Sequence, residues 1–155
     1  MENAMENKTI IKFNTGKGII LALVGMIAGL ALWLVLIALL GAGTGGAVGG
    51  VFAAVLGMLS AAGYRKGPGK PGIVGIIPVA LLALIGTAAA ITLGTAILIY
   101  QEGIGQNVFD SWGILFDLLG VDNRVTSAFL QDLIITAAIS VVMAVVSMVG
   151  GKKKK

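Results

Sequence analysis

The stretch from Gly41 to Gly63, GAGTGGAVGGVFAAVLGMLSAAG, carries no charge and consists mostly of glycine, alanine and other apolar residues. Residues four apart lie on one face of an α-helix, and small residues recur here at that spacing. In lipid, such a face lets a second helix approach closely, whereas in water each interior glycine costs about 1 kcal/mol relative to alanine. The stretch therefore predicts a membrane helix with a tightly packed partner. Its packing positions are Gly41, Gly45, Gly49, Ala53, Gly57 and Ala61, with Gly46, Gly50 and Ala54 on the adjoining row.

The composition supports a bilayer as the solvent of the whole chain. Of 155 residues, 57% are hydrophobic and 12% are charged, against about 25% charged residues in soluble domains. There is no cysteine and no histidine, which excludes disulfides, thiolate and imidazole metal ligands, and histidine acid–base chemistry. We therefore expect a membrane protein without a metal site or cofactor.

Four apolar runs are long enough to cross a hydrocarbon core of about 30 Å. They predict an all-α integral membrane four-helix bundle in a single transmembrane domain, about residues 18–150, between an N-terminal tail (1–17) and a basic tail (151–155). The predicted spans are about 18–40, 45–64, 73–100 and 125–149.

Local signals mark the ends of these spans. Residues 41–46 are predicted to form a tight reversal with Thr44 as the N-cap of the second helix, and residues 64–72, YRKGPGKPG, a short basic loop. Further packing positions are Gly25 and Gly29 in the first span, expected to face the second helix, and Gly86 and Gly94 in the third. Hydroxyls expected to bond to their own helix backbone are those of Thr87, Thr92 and Thr95.

An amphipathic segment at about residues 107–119 separates the third and fourth spans. It predicts an extracytoplasmic surface helix that begins at Asn107 and ends at Gly120. Its interface anchors, expected at headgroup depth, are Phe109, Trp112 and Phe116. The same apolar stripe includes Val108, Leu115 and Leu119, and the opposite polar face is Asp110, Ser111 and Asp117.

Charge is distributed unequally between the two predicted sides of the membrane. Ten of the 11 Lys and Arg residues lie in the N-terminal tail, the 64–72 loop and the C-terminal tail, and Arg124 alone lies on the other side. We expect a protein of the plasma membrane, and the positive-inside rule then places both of its termini in the cytoplasm. Because these cations flank apolar spans, we expect the lipid bilayer and not nucleic acid as their partner.

Few polar residues could carry chemistry. Glu102, Gln131 and Asp132 form a candidate outer polar site, either as boundary residues in headgroup water or as a vestibule that contacts a cation or polar solute. The spans hold no Ser/Lys dyad, paired aspartates or metal-ligand set, so the sequence predicts no catalytic residue and no enzyme.

Three motifs follow the glycine-rich hairpin: Gly63-Tyr64-Arg65-Lys66, Gly69-Lys70-Pro71-Gly72-Ile73 and Ile99-Tyr100-Gln101-Glu102. Over roughly residues 16–120 the chain resembles small uncharacterised four-span integral membrane proteins of Gram-positive bacteria. The resemblance implies a bacterial plasma membrane and no assigned activity.

A second likeness does not extend to function. In its glycine-rich helices, four spans and Ile76-Ile77-Pro78-Val79, the chain is similar to the proteolipid subunit of rotary proton-translocating ATPases. That family carries its ion on a carboxylate in the middle of the fourth span, and residues 136–146 contain none.

Two functions remain as hypotheses. The first is a structural or accessory membrane protein that packs through the second helix, because two adjacent small-residue rows exceed what one neighbour needs; its partner is a second copy or a larger membrane complex. The alternative is a small solute or ion transporter or channel formed by a homo-oligomer, suggested by helices that proline and glycine interrupt.

Overall fold

The computed structural model describes residues 14–41, 46–67 and 72–150, and within them the chain is all-α. Four of its five helices are long and apolar enough to cross a membrane. The prediction of an all-α chain with four such helices is therefore confirmed. The helices are α1 (Thr15–Leu40), α2 (Gly46–Lys66), α3 (Ile73–Gln101), α4 (Val108–Val121) and α5 (Asn123–Gly150).

Helix α1 begins before its predicted span because a side chain caps its backbone. The Asn14 side chain accepts a hydrogen bond from the Lys17 backbone N–H at 3.1 Å, so α1 begins at Thr15. At its other end Gly41 has a φ of 58°, a left-handed conformation that glycine adopts without strain, and it ends α1. The predicted N-cap Thr44 lies outside the described residues.

The short helix α4 begins as predicted but ends differently. Asn107 caps it by accepting from the Asp110 N–H at 2.9 Å, which confirms that prediction. The predicted end at Gly120 is wrong, because the helix continues to Val121 and its C-cap is Asp122 in an extended conformation. The Leu119 carbonyl there accepts from Thr126 Oγ1 at 2.7 Å, so a hydroxyl of the next helix does what a left-handed glycine would have done.

Hydrogen bonds and close contacts fix the direction of the long helices. A Cβ on Gly25 would overlap the Leu59 carbonyl, and one on Gly63 would overlap that of Leu21, so α1 and α2 are antiparallel. The Gln101 side-chain amide donates to the Ala38 carbonyl at 2.8 Å, which joins the C-terminal ends of α1 and α3.

The C-terminal ends of α2 and α5 meet at the opposite end. There Arg65 Nη1 donates to the Ser147 carbonyl at 3.0 Å. Both Thr15 and Gly150 therefore lie at this end, which we call the basic end; its described cations are Lys17, Arg65 and Lys66. The other, the acidic end, holds α4 together with the single cation Arg124 among its described residues, and its acidic residues are Glu102, Asp110, Asp117 and Asp122.

The packing has a central pair and two flanking helices. Helices α2 and α3 contact each other, and each also contacts both α1 and α5. Among the described residues α1 and α5 share no contact, and α4 packs against α3 and α5. In the core, Trp33 is fully buried and stacks on Phe52 with ring centroids 5.8 Å apart.

Polar side chains inside the helices are mostly satisfied locally. Thr87 Oγ1 donates to the Ala83 carbonyl and Thr92 Oγ1 to that of Ala88, each at 2.8 Å. These two bonds confirm the prediction made for both threonines. These two hydroxyls are therefore satisfied within α3 itself.

Candidate functional site

Backbone-to-backbone contact defines one region of possible function, the two interfaces of α2. Against α1, Gly25 lies on the Leu59 carbonyl and Gly63 lies on the Leu21 carbonyl, too close for any side chain. Gly29 adds a third contact, since a Cβ there would come within 3.0 Å of Leu56 Cα.

The second interface of α2 is with α5. A Cβ on Gly57 would overlap the Ser140 carbonyl and approach the Ala144 nitrogen at 3.1 Å, and one on Gly50 would lie 3.1 Å from Ile139 Cδ1. The small residues of α2 are therefore shared between two neighbours within the chain. The surplus of small residues that suggested self-association is accounted for by α5.

The remaining predicted packing positions differ in where they lie and in what they contact. Gly41 lies outside α2 and ends α1, and Gly45 lies outside the described residues. Gly86 faces α1, where a Cβ would meet Met26 Cγ at 2.6 Å. The other positions, all buried, are Gly49, Ala53, Ala61 and Gly94.

Helix α4 buries one residue of its apolar stripe, Leu115, and one residue of its predicted polar face, Ser111. The assignment of Ser111 to the polar face is therefore wrong. The loop before α4 accounts for the burial of Ser111. Gly105 of that loop packs directly on Ser111 Oγ, so only a small side chain fits at position 111.

The predicted anchors face away from the other helices. Phe109 is 80% exposed, Phe116 54% and Trp112 37%, and the rings of Trp112 and Phe116 have centroids 5.9 Å apart. An exposed aromatic cluster of this kind is the arrangement expected of side chains at a membrane interface. Anchoring at headgroup depth stays a prediction.

The three residues of the candidate outer polar site do not line one common cavity in the structure. Glu102 is exposed at the C-cap of α3, and Gln131 is exposed on α5. Asp132 is half-buried and lines a cavity of about 260 Å³ that neither of the other two residues lines. The cavity, hereafter the Asp132 cavity, is lined by Ile91, Thr95, Leu115, Val125, Ala128, Phe129 and Asp132.

Three helices build the Asp132 cavity. Helix α3 provides Ile91 and Thr95, α4 provides Leu115, and α5 provides the rest. Thr136 Oγ1 donates to the backbone carbonyl of Asp132.

The position of Asp132 along α5 decides whether this carboxylate is unusual. The guanidinium of Arg65, bonded to the Ser147 carbonyl, marks where a hydrocarbon boundary would lie, because arginine near a helix end reaches the interface. Between Ser147 and Asp132 the helix rises about 22 Å at ~1.5 Å per residue. If a hydrocarbon core of roughly 30 Å begins at that level, Asp132 would lie about 8 Å inside its opposite boundary.

A charge at such a depth is costly. On insertion scales an aspartate at the centre of a membrane helix costs about 2.5–3.5 kcal/mol, and less toward the boundary. Residues of this kind mark functional sites in membrane proteins. The carboxylate is therefore the strongest candidate for chemistry in the described chain.

Sequence reasoning missed the partners of Asp132. Val125, Ala128, Phe129 and Asp132 recur at helical spacing on one face of α5, a signal present in the sequence. Thr95 and Leu115 come from other helices and carry no such signal. Their approach depends on the antiparallel pairing of α3 with α5, in which Ser140 Oγ donates to the Ala83 carbonyl at 3.5 Å and Asp132 lines the same cavity as Ile91.

Comparisons with other proteins add no assignment. No group of three or more metal-ligating side chains occurs among the residues that the structure describes. No protein-family model, no curated protein and no solved structure matches the chain.

Proposed function

We propose that the chain is a non-enzymatic multi-pass protein of the plasma membrane, with both termini in the cytoplasm, and that it acts as a structural or accessory component through helix packing. In this proposal its four long helices form a transmembrane four-helix bundle, and α4 lies outside the cytoplasm. The supporting observation is the pair of α2 interfaces, which makes a rigid unit whose flanking helices present apolar side chains outward. Those on α1 and α5 include Ile20, Ile27, Val35, Ile134, Val142 and Val146.

The orientation rests on the two ends of the described chain. Lysine and arginine favour the cytoplasmic side, and the basic end carries the described cations of α1 and α2, Lys17, Arg65 and Lys66. Because the protein lacks cysteine, the variants Asp117→Cys and Lys66→Cys each place a single thiol at one exposed end. A membrane-impermeant maleimide on intact cells should label only Asp117→Cys. Labelling of Lys66→Cys alone would reverse the orientation, and labelling of both would contradict it.

The accessory role is tested on the outward faces of α1 and α5. These helices share no contact within the described residues, so they flank the α2–α3 pair and each is open to a partner. A photo-crosslinking residue at Ile27 or Val142, which are 51% and 56% exposed, should give a discrete protein adduct in native membranes. An adduct of twice the chain mass identifies a homo-oligomer, and a different mass identifies a larger complex. Exclusive crosslinking to lipid from both positions contradicts the role.

Transport is a second candidate, and the Asp132 cavity is the observation that favours it. A carboxylate inside the membrane, lining a cavity between three helices, is typical of sites that solutes or ions pass. Purified protein in liposomes should then carry small cations faster than empty vesicles do. Asp132→Asn should reduce that flux, and Asp117→Asn, at an exposed acidic position outside the cavity, should not. Flux equal to that of empty vesicles removes this candidate.

A further inference from the structure

We propose that the Asp132 cavity binds a small organic ammonium ion, that is, a positively charged nitrogen on an apolar body. The inference deepens the transport candidate by naming its ligand class. It starts from the content of the cavity: one carboxylate and one hydroxyl, from Asp132 and Thr95, among five apolar side chains.

The same content argues against a bare metal ion. Calcium takes six to eight oxygen ligands and magnesium requires about six in octahedral geometry. Only Asp132 and Thr95 offer side-chain oxygens in the cavity lining, and helix carbonyls are engaged in backbone hydrogen bonds. A metal ion would have to keep most of its water, for which the apolar walls provide no hydrogen bonds.

An organic ammonium ion matches both parts of the lining. Its charge pairs with the Asp132 carboxylate, and a charge-assisted hydrogen bond is stronger than a neutral one. Its apolar body contacts Ile91, Leu115 and Phe129, and an aromatic ring such as that of Phe129 also attracts cations. A neutral compound would lose the charge pairing, and an anion would be repelled.

The size of the cavity and its single charge limit which organic ammonium ions can bind. Its volume of about 260 Å³ is slightly below the usual range of small-molecule pockets, roughly 300–1,000 Å³. The lining holds a single carboxylate, that of Asp132, so it can pair with one positive charge. The ligand is therefore small and monocationic.

The test compares phenethylammonium with its neutral analogue 2-phenylethanol, by titration calorimetry on the full chain in detergent micelles. Wild type should bind phenethylammonium saturably and at least about tenfold more tightly than 2-phenylethanol, because only the cation forms the charge pair. Asp132→Asn should weaken binding of the cation about tenfold or more and remove the preference. Asp117→Asn should match wild type.

A second variant keeps the test valid if Asp132→Asn folds poorly. Ala128 is exposed and lines the cavity, so Ala128→Leu fills space while all charges are retained. It should also weaken phenethylammonium binding about tenfold or more, since the body of the ligand loses its place. Equal affinity for the two compounds, unchanged binding by folded Asp132→Asn, or no saturable binding by wild type overturns the inference.

Binding and flux are measured separately, so the two proposals can fail independently. Selective binding without flux supports the ammonium site and removes transport. Flux of another solute without ammonium binding supports transport and overturns the ammonium site.

Discussion

The α2 interfaces and the Asp132 cavity lie in the same set of helices and differ in how neighbouring helices meet. At the α2 interfaces glycine removes the side chains, so that Gly57 lies on the Ser140 carbonyl and Gly63 on the Leu21 carbonyl. At the cavity, α3, α4 and α5 remain apart and leave about 260 Å³ around one carboxylate. Added volume should therefore damage the first region and be accepted by the second.

The largest effect is expected from Gly57→Ala. Its new methyl group overlaps the Ser140 backbone, and because backbone cannot move like a flexible side chain, the variant should lose about 1–3 kcal/mol of unfolding free energy. The matched control is Gly113→Ala, where a Cβ meets nothing within 4 Å; it should gain up to about 1 kcal/mol from helix propensity. Unfolding in mixed micelles of increasing SDS content, followed by circular dichroism, measures both. Equal losses in the two variants would contradict the contrast.

An intermediate effect of opposite sign is expected from Ala128→Leu. The leucine fills the Asp132 cavity that Ala128 lines, and cavity filling commonly adds about 0.5–2 kcal/mol of stability. The same chemical change at the fully buried Ala61 of α2 should lose about 1–3 kcal/mol, since no space is present. The same SDS titration compares the two variants. If both leucines destabilise the protein, the Asp132 cavity does not have room for the larger side chain.

The smallest effect is expected from Thr126→Val, at the junction of α4 and α5. The Thr126 hydroxyl donates to the Leu119 and Asp122 carbonyls at 2.7 and 2.9 Å, and its loss should cost about 0.5–1.5 kcal/mol. Thr126→Ser keeps the hydroxyl and serves as the control.

The fluorescence of each of the two tryptophans reports the unfolding of a different region. Trp33 is in the core beside α2, and Trp112 is on α4. In single-tryptophan variants, Thr126→Val should shift the unfolding midpoint reported by Trp112 more than that reported by Trp33. Equal shifts would mean that α4 and the core unfold together.

Features decided by neighbouring residues were predictable from the sequence. The four apolar runs gave the long helices because a membrane-length run of apolar residues has few alternatives. The Asn107 cap depends on a residue three positions away, Asp110. The Gly120 prediction was wrong because the end of α4 is completed by Thr126 from the following helix.

Features decided by distant parts of the chain were not predictable. Gly57 meets Ser140 of α5, whereas the sequence offered α1, the adjacent helix, as the natural partner of α2. The burial of Ser111 depends on the path of the loop at Gly105. The Asp132 cavity could be predicted only in part, since its α5 face follows helical spacing and its α3 and α4 walls do not.

The described parts of α1 and α5 do not touch each other, and this has a consequence for biosynthesis. Helices α1, α2 and α3 all touch one another, so the first three can finish docking while the ribosome is still translating the remainder. Helix α5 then docks last, onto a groove already formed by α2 and α3, and its contact over Gly57 and alongside α4 completes the walls of the Asp132 cavity. We therefore expect a chain that ends after Gln101 to form a packed three-helix intermediate, onto which α4 and α5 dock later.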